Sequence, residues 1–174
     1  MKELILGGVR SGKSALAERL ARESGLAVTY IATAAAGDAE MRERIRHHQQ
    51  RRPAHWGLVE VDSGLAGVLA AHAAAERCLL VDCLTLWLTR LLADPEPARL
   101  GVESAELLRV LPELPGRIIM VSNETGLGVV PMGELSRRFC DEAGRLHQSL
   151  APLCQRVILT VAGLPQVLKG EGLE

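Results

Sequence analysis

Eight residues near the amino terminus, Gly7-Gly8-Val9-Arg10-Ser11-Gly12-Lys13-Ser14, fit the pattern G-x-x-x-x-G-K-[ST]. The chemistry that this spacing supports is the grip of a triphosphate. Glycines let successive backbone N–H groups turn into one concavity, which suits an anion. A helix opening at the lysine adds unpaired N–H groups and the positive end of its dipole. Lys13 then reaches the β- and γ-phosphates, and the Ser14 hydroxyl is placed to ligate Mg²⁺. The flanks agree with the motif. Leu4-Ile5-Leu6 reads as a buried strand, and Leu16, Ala17, Leu20 and Ala21 recur at helical spacing over Ala15 to Ala21. A nucleoside triphosphate site is predicted here.

Ligands of open parallel sheets sit outside the carboxyl ends of strands. That rule selects four stretches for one site: Gly7–Ser14, Thr33–Asp38, Asp82–Thr85 and Asn123–Gly128. Asp82 closes the apolar run Cys78-Leu79-Leu80-Val81, the place of an acid that positions Mg²⁺ beside a phosphate loop. A strand-end aspartate also serves as a turn former or helix cap. Thr85 either assists Asp82 or is an ordinary first-turn residue. The loop Asn123 to Gly128 offers an amide, a carboxylate and two glycines, and also reads as a structural turn.

The charged stretch Glu40 to Arg51 has helical character. At about 100° per residue, Met41, Ile45 and His48 share one face, which should pack inward. His47 falls on another side, flanked by Arg44 and Arg51. An imidazole of ordinary pKa, about 6.5, is largely neutral at pH 7 and able to attack phosphorus. Periodicity therefore selects His47 before His48 if either reacts. A solvated charged helix with an incidental histidine accounts for the same letters. His55 and Trp56 either frame a nucleobase or cap a hydrophobic edge, and His72 and His147 read as structural.

The elements that must position these groups follow from the apolar pattern. Strands are predicted at Leu4–Leu6, Ala27–Ala32, Leu58–Val61, Cys78–Asp82, Arg117–Ser122 and, as the last, Arg156–Val161. Helices are predicted over Ala15–Ala21, Glu40–Arg51, Leu65–Glu76, Leu84–Leu92, Val102–Leu111 and Gly133–Leu150. Pro95 and Pro97 mark a surface loop, and the tail after Gly163 reads as loose. Strands that are continuous apolar runs, alternating with helices, predict a mostly parallel sheet with helices on both faces.

The 174 residues suit one domain, 1–174. With Trp56, Trp87, Tyr30 and Phe139 the only aromatics, the core must be aliphatic. A net charge of −1, without a basic aromatic-studded stretch, argues against a nucleic-acid partner. Cys78, Cys83, Cys140 and Cys154 lack C-x-x-C spacing and read as buried thiols in a reducing compartment. No leader and no span of 18 apolar residues fits, so a cytoplasmic enzyme is expected.

Five segments together resemble the bifunctional adenosylcobinamide kinase/adenosylcobinamide-phosphate guanylyltransferase family of cobalamin biosynthesis. They are the phosphate loop, Tyr30-Ile31-Ala32-Thr33, Glu40-Met41 through Arg46-His47-His48, Arg52-Pro53-Ala54-His55-Trp56, and Ser122 through Pro131. The resemblance implies a RecA-like phosphate-loop fold, a homotrimer, ATP and GTP as substrates, and Mg²⁺ as cofactor. It implies phosphorylation of adenosylcobinamide, then transfer of GMP from GTP by way of a histidine. The matching position for that histidine is His47, the first of the pair. Nucleotide contacts are implied for Gly7, Gly8, Val9, Arg10, Ser11, Gly12, Lys13, Ser14, Ala32, Thr33 and Ala34. They are also implied for His48, Gln49, Gln50, Arg51, Glu60 and Asp82, with Ser14 and Asp82 on the metal. Relatives often carry glutamate where this chain has Asp82, and the stretch Leu164–Glu174 has no counterpart in the resemblance. Two other readings share the phosphate loop. One is a plain small-molecule kinase and the other a nucleotide-dependent switch.

Overall fold

The computed structural model describes residues 1–33 and 53–173. Among the described residues, six strands and five α-helices run in the order β1 (Lys2–Gly7), α1 (Lys13–Glu23), β2 (Ala27–Ala32), β3 (Gly57–Glu60), α2 (Leu65–His72), β4 (Arg77–Asp82), α3 (Leu84–Leu92), α4 (Arg99–Val110), β5 (Arg117–Asn123), α5 (Glu134–Leu153) and β6 (Arg156–Val161), followed by a seventh strand, β7 (Leu164–Lys169). They form one sheet in the order β3-β2-β4-β5-β1-β6-β7. Every neighbouring pair is parallel except β6 and β7.

The alternation of side chains along a strand divides the core into two layers. Leu4 and Leu6 of β1, with Leu79 and Val81 of β4, face helices α2 to α5. Ile5, Leu80, Ile119 and Ile158 face the other way, where Leu16, Ala17, Leu20 and Ala21 of α1 cover them, with Trp56. Strands buried on both faces must be apolar throughout, which is why these runs do not alternate in sequence. The amphipathic stripe that marked α1 is the one it buries.

Two features depart from the sequence expectations. The segment after Gly163 is not loose: it returns antiparallel to β6, with Val161 opposite Leu164 and Ile158 opposite Val167. The two-residue link, Ala162 (φ 52°) and Gly163 (φ 81°), has the left-handed conformations that tight hairpins favour. Pro165 obscured this strand, since proline cannot donate to a ladder; it is tolerated here because β7 is the sheet edge. The alanine-rich helix also stops early, at His72 rather than Glu76. Ala73 is extended and the Ala74 carbonyl accepts the Arg77 N–H (3.0 Å), a turn that feeds β4. Helix propensity yields to the need to enter the sheet.

The amino ends of three adjacent strands, β5, β1 and β6, are tied by an ion cluster. Glu3 on β1 is fully buried and takes Arg117 Nε of β5 (2.6 Å) and Arg156 Nε of β6 (2.7 Å) on its two carboxylate oxygens. Among the described residues no helix is long and apolar enough to cross a membrane.

Candidate functional site

The phosphate loop leaves β1 at Gly7 and re-enters regular structure at Lys13. Gly7 is needed because a Cβ there would lie 2.4 Å from Ser11 Oγ and 2.5 Å from the Thr160 carbonyl oxygen. Gly12, at φ 95°, holds the left-handed turn that opens α1. Arg10 also has a positive φ, 56°. The Ser11 N–H donates to the Gly8 carbonyl (3.2 Å), and the Gly163 N–H of the β6–β7 hairpin donates to the Ser11 carbonyl (2.8 Å). The hairpin absent from the sequence reading therefore props the far side of the phosphate loop.

Lys13 folds back over this loop, its ammonium donating to the Gly8 carbonyl (3.1 Å). Burial pushes its pKa down, and nearby Cys83 and Asp82 work in the opposite direction. A partly desolvated ammonium above a ring of backbone N–H groups is suited to triphosphate oxygens. Ser14 follows it in the first turn of α1, half-buried.

Asp82 ends β4, and Oδ2 accepts the Tyr30 hydroxyl across the sheet (3.0 Å). Tyr30 is buried, and burial followed by the charge of Asp82 drives its phenol pKa far upward. It is thus a permanent donor that holds the carboxylate in place. Tyr30→Phe is expected to cost about 1.5–3 kcal/mol, the worth of a hydrogen bond to a charged group. The urea midpoint measures it; an unchanged midpoint would mean that Asp82 is held by other donors.

Thr33 is buried, and its side chain is spent on the loop that follows Asp82. Its hydroxyl donates to the Cys83 carbonyl (2.6 Å) and accepts the Cys83 N–H (2.9 Å). Burial raises the Cys83 thiol to about 11, so it stays protonated at neutral pH. Thr85 Oγ1 accepts the Asn123 N–H (2.7 Å), and the Glu124 N–H donates to the Gly7 carbonyl (3.0 Å). The predicted stretches Gly7–Ser14, Asp82–Thr85 and Asn123–Gly128 are so stitched together at one end of the sheet, and Thr33, the described residue of the fourth stretch, joins them through Cys83. The register explains it: β5 lies between β1 and β4, pairing Gly7 with Asn123 and Asp82 with Val121.

Ala32 is opposite both Asp82 and Glu60. Glu60 itself is exposed on the edge strand β3, with three strands between it and β1. Ala34, His47, His48, Gln49, Gln50 and Arg51 lie outside the described residues. His147, read as structural, is buried and joins α5 to the end of β5. From α5 it reaches Ser122 Oγ with Nε2 (2.8 Å), and its Nδ1 stands 3.6 Å from Glu124 Oε2. Neither this contact nor that of Tyr30 with Asp82 has a sequence signal, since both depend on which strands and helices adjoin. The thiols divide: Cys78 and Cys154 are buried, while Cys83 and Cys140 are partly exposed.

The donor set suits Mg²⁺. This ion prefers hard oxygen ligands and commonly takes one or two protein groups with phosphates and waters. A hydroxyl at Ser14 and a carboxylate at Asp82 fit that need. No cluster of three His, Cys, Asp or Glu able to cage a metal occurs among the described residues.

A phosphate loop between β1 and α1, an acid at the end of β4 and a strand inserted between β1 and β4 define a phosphate-loop nucleotide-binding protein of RecA-like architecture. In fold alone the chain is similar to the crystal structure of flagellar accessory protein FlaH from Methanocaldococcus jannaschii. The TM-score is 0.55 at 17% identity, covering 98% of this chain and 78% of that one.

The chain belongs to the cobinamide kinase / cobinamide phosphate guanyltransferase family, whose sequence model matches residues 3–168. It is 67% identical over 173 residues to the bifunctional adenosylcobalamin biosynthesis protein CobP of Pseudomonas aeruginosa, covering 99% of this chain and 100% of that protein. It is 37% identical over 182 residues to the corresponding protein CobU of Escherichia coli, covering 97% and 100%. The family is one of transferases.

Proposed function

We propose that this chain performs both reactions of adenosylcobinamide activation. It phosphorylates the aminopropanol hydroxyl of adenosylcobinamide with ATP or GTP, then transfers GMP from GTP to the new phosphate. The products are adenosylcobinamide-GDP and pyrophosphate. The observation that carries this reading is a family match running from residue 3 to 168 and including an intact phosphate loop.

In the second reaction His47 is the carrier. A ring nitrogen of its neutral imidazole attacks the α-phosphorus and forms a P–N bond; the bond to the bridging oxygen breaks, and pyrophosphate leaves with the electron pair. The cobinamide phosphate oxygen then attacks the same phosphorus and returns the imidazole. Splitting one displacement into two is covalent catalysis. Lys13 and the loop N–H groups offset charge on the departing pyrophosphate. Ser14 and Asp82 would hold Mg²⁺, which would supply charge neutralisation on the phosphates. Gly7 to Ser14, Ala32, Thr33, Ala34, His48, Gln49, Gln50, Arg51 and Glu60 complete the nucleotide contacts, Thr33 through its backbone.

The same reading takes residues 1–174 as one domain, a cytoplasmic homotrimer without a nucleic-acid partner. An exposed apolar run, Leu127, Val129, Val130, Met132 and Leu135, supports a surface that another subunit covers.

Incubation with Mg²⁺ and α-phosphate-labelled GTP should leave acid-labile, alkali-stable label on the polypeptide. His47→Ala should abolish the label and His48→Ala should retain it. A wild-type protein that binds GTP and takes no label would sink the guanylyl-histidine mechanism.

A further inference from the structure

The proposed kinase step needs an acceptor for the proton of the attacking hydroxyl, and two carboxylates end strands beside the phosphate loop. Asp82 stands on the Lys13 side, with Oδ2 accepting the Tyr30 hydroxyl, and its donor chemistry suits the metal. Glu124 is placed differently. Its own N–H is fixed to the Gly7 carbonyl, so its Cα abuts the first residue of the loop. One carboxylate oxygen, Oε1, accepts the Gly126 N–H (2.6 Å) and pins the side chain. The other, Oε2, faces His147 Nδ1 at 3.6 Å, while about one-fifth of the side chain remains open to solvent (21%).

His147 is buried behind this carboxylate, and its Nδ1 has no hydrogen-bond partner within reach. The tautomer follows from the neighbours. The Ser122 hydroxyl can donate to Nε2, whereas a carboxylate only accepts, so the single proton of a neutral ring belongs on Nδ1. Burial favours that neutral ring, lowering the imidazole pKa against the opposing pull of Glu124. The carboxylate that faces this buried N–H is that of Glu124, at 3.6 Å.

We infer that Glu124 is the catalytic base of the phosphorylation step and that His147 is its positioning residue. This rests on the kinase half of the function proposed above. The substrate O–H bond breaks and its proton passes to Glu124 Oε2. The hydroxyl oxygen bonds to the γ-phosphorus, and the bond from that phosphorus to the β,γ-bridging oxygen breaks, with the electron pair leaving on the nucleoside diphosphate. Glu124 then returns the proton to water. Its topological position makes this workable, since a strand inserted between the phosphate-loop strand and the Asp82 strand ends facing both.

The test separates the two reactions on the intact protein. Glu124→Gln should lower kcat for phosphorylation of adenosylcobinamide by about a hundredfold, the lower range for a lost general base. The same variant should keep GTP-dependent GMP label, which reports a folded protein with bound nucleotide. For His147, Asn preserves an N–H near the Nδ1 position and Gln preserves one near Nε2. His147→Asn should therefore retain more of kcat than His147→Gln, with KM for adenosylcobinamide little changed in both. Phosphorylation by Glu124→Gln within threefold of wild type would overturn the inference and leave the function intact. Loss of both label and phosphorylation would overturn it too, by making Glu124 a structural residue. The reverse order of the two His147 variants would assign His147 to Ser122 alone. A wild-type protein that takes label but phosphorylates nothing would remove the kinase reading and this inference with it.

Discussion

Lys13→Met is expected to abolish both GMP loading from GTP and phosphorylation of adenosylcobinamide, each by about a hundred- to a thousandfold. That is the usual loss when a preorganised donor to developing charge is removed. The lysine is the cation that folds over the loop carbonyls, at 3.1 Å from Gly8, and a triphosphate would draw it from there. Methionine keeps the length of the stem and removes only the charge. The protein itself should not suffer. Burial lowers the pKa of Lys13 from 10.5, so the charged form is disfavoured in the folded state. The unfolded chain therefore binds more protons between the lowered value and 10.5, and wild-type stability rises through that interval. Below it, at neutral pH, the penalty is present in full. Lys13→Met should then be at least as stable as wild type at pH 7, with its advantage shrinking as pH climbs toward 10.5. Thermal melts across pH and assays of both reactions measure this together. If one reaction survives in the variant, the two do not share the phosphate loop.

The largest stability effect is expected at the opposite end of the sheet. Glu3 has 0% exposure and engages two guanidinium groups, Arg117 and Arg156, whose side chains are 15% and 11% exposed. Glu3→Ala would leave two arginines largely buried without their anion. Breaking a buried ion pair from one side costs about 3–5 kcal/mol. The residual exposure of both arginines places the expected loss near the lower figure. A urea titration should show a lower midpoint with an unchanged slope. Glu3→Gln keeps the shape and one acceptor, and should lose less. At temperatures where Glu3→Ala is folded, GTP labelling should persist, because the cluster lies at the amino end of β1 and the phosphate loop at its carboxyl end. A loss below about 1 kcal/mol would show that both guanidinium groups reach water freely.

Much of the fold was legible because the forces that form it are local or periodic. The continuous apolar runs of β1, β2, β4, β5 and β6 announced strands covered on both faces, and α1 announced itself by its stripe. The phosphate loop was legible since a left-handed Gly12 and a close approach at Gly7 restrict residue type directly. The β7 strand was not, because Pro165 argues against a strand unless its position at the sheet edge is known. The end of α2 was not, because nothing within its alanines opposes helix; the entry to β4 does. His147 was passed over because its partners, Ser122 and Glu124, are more than twenty residues away in the chain.

The sequence alone selected the class of chemistry to expect: a loop of glycines, a lysine and a serine suited to a triphosphate, with an acid at a nearby strand end. These are properties of residue types at fixed short spacing, which the backbone must satisfy locally. Only the tertiary structure decided which strands adjoin. The insertion of β5 between β1 and β4 sets Glu124 against Gly7 and Thr85 against Asn123. The pairing of β2 with β4 brings Tyr30 to Asp82, and the fold of β7 onto β6 sets Gly163 beneath Ser11. Strand order is fixed by burial summed over the whole sheet, and no short window of residues carries that sum.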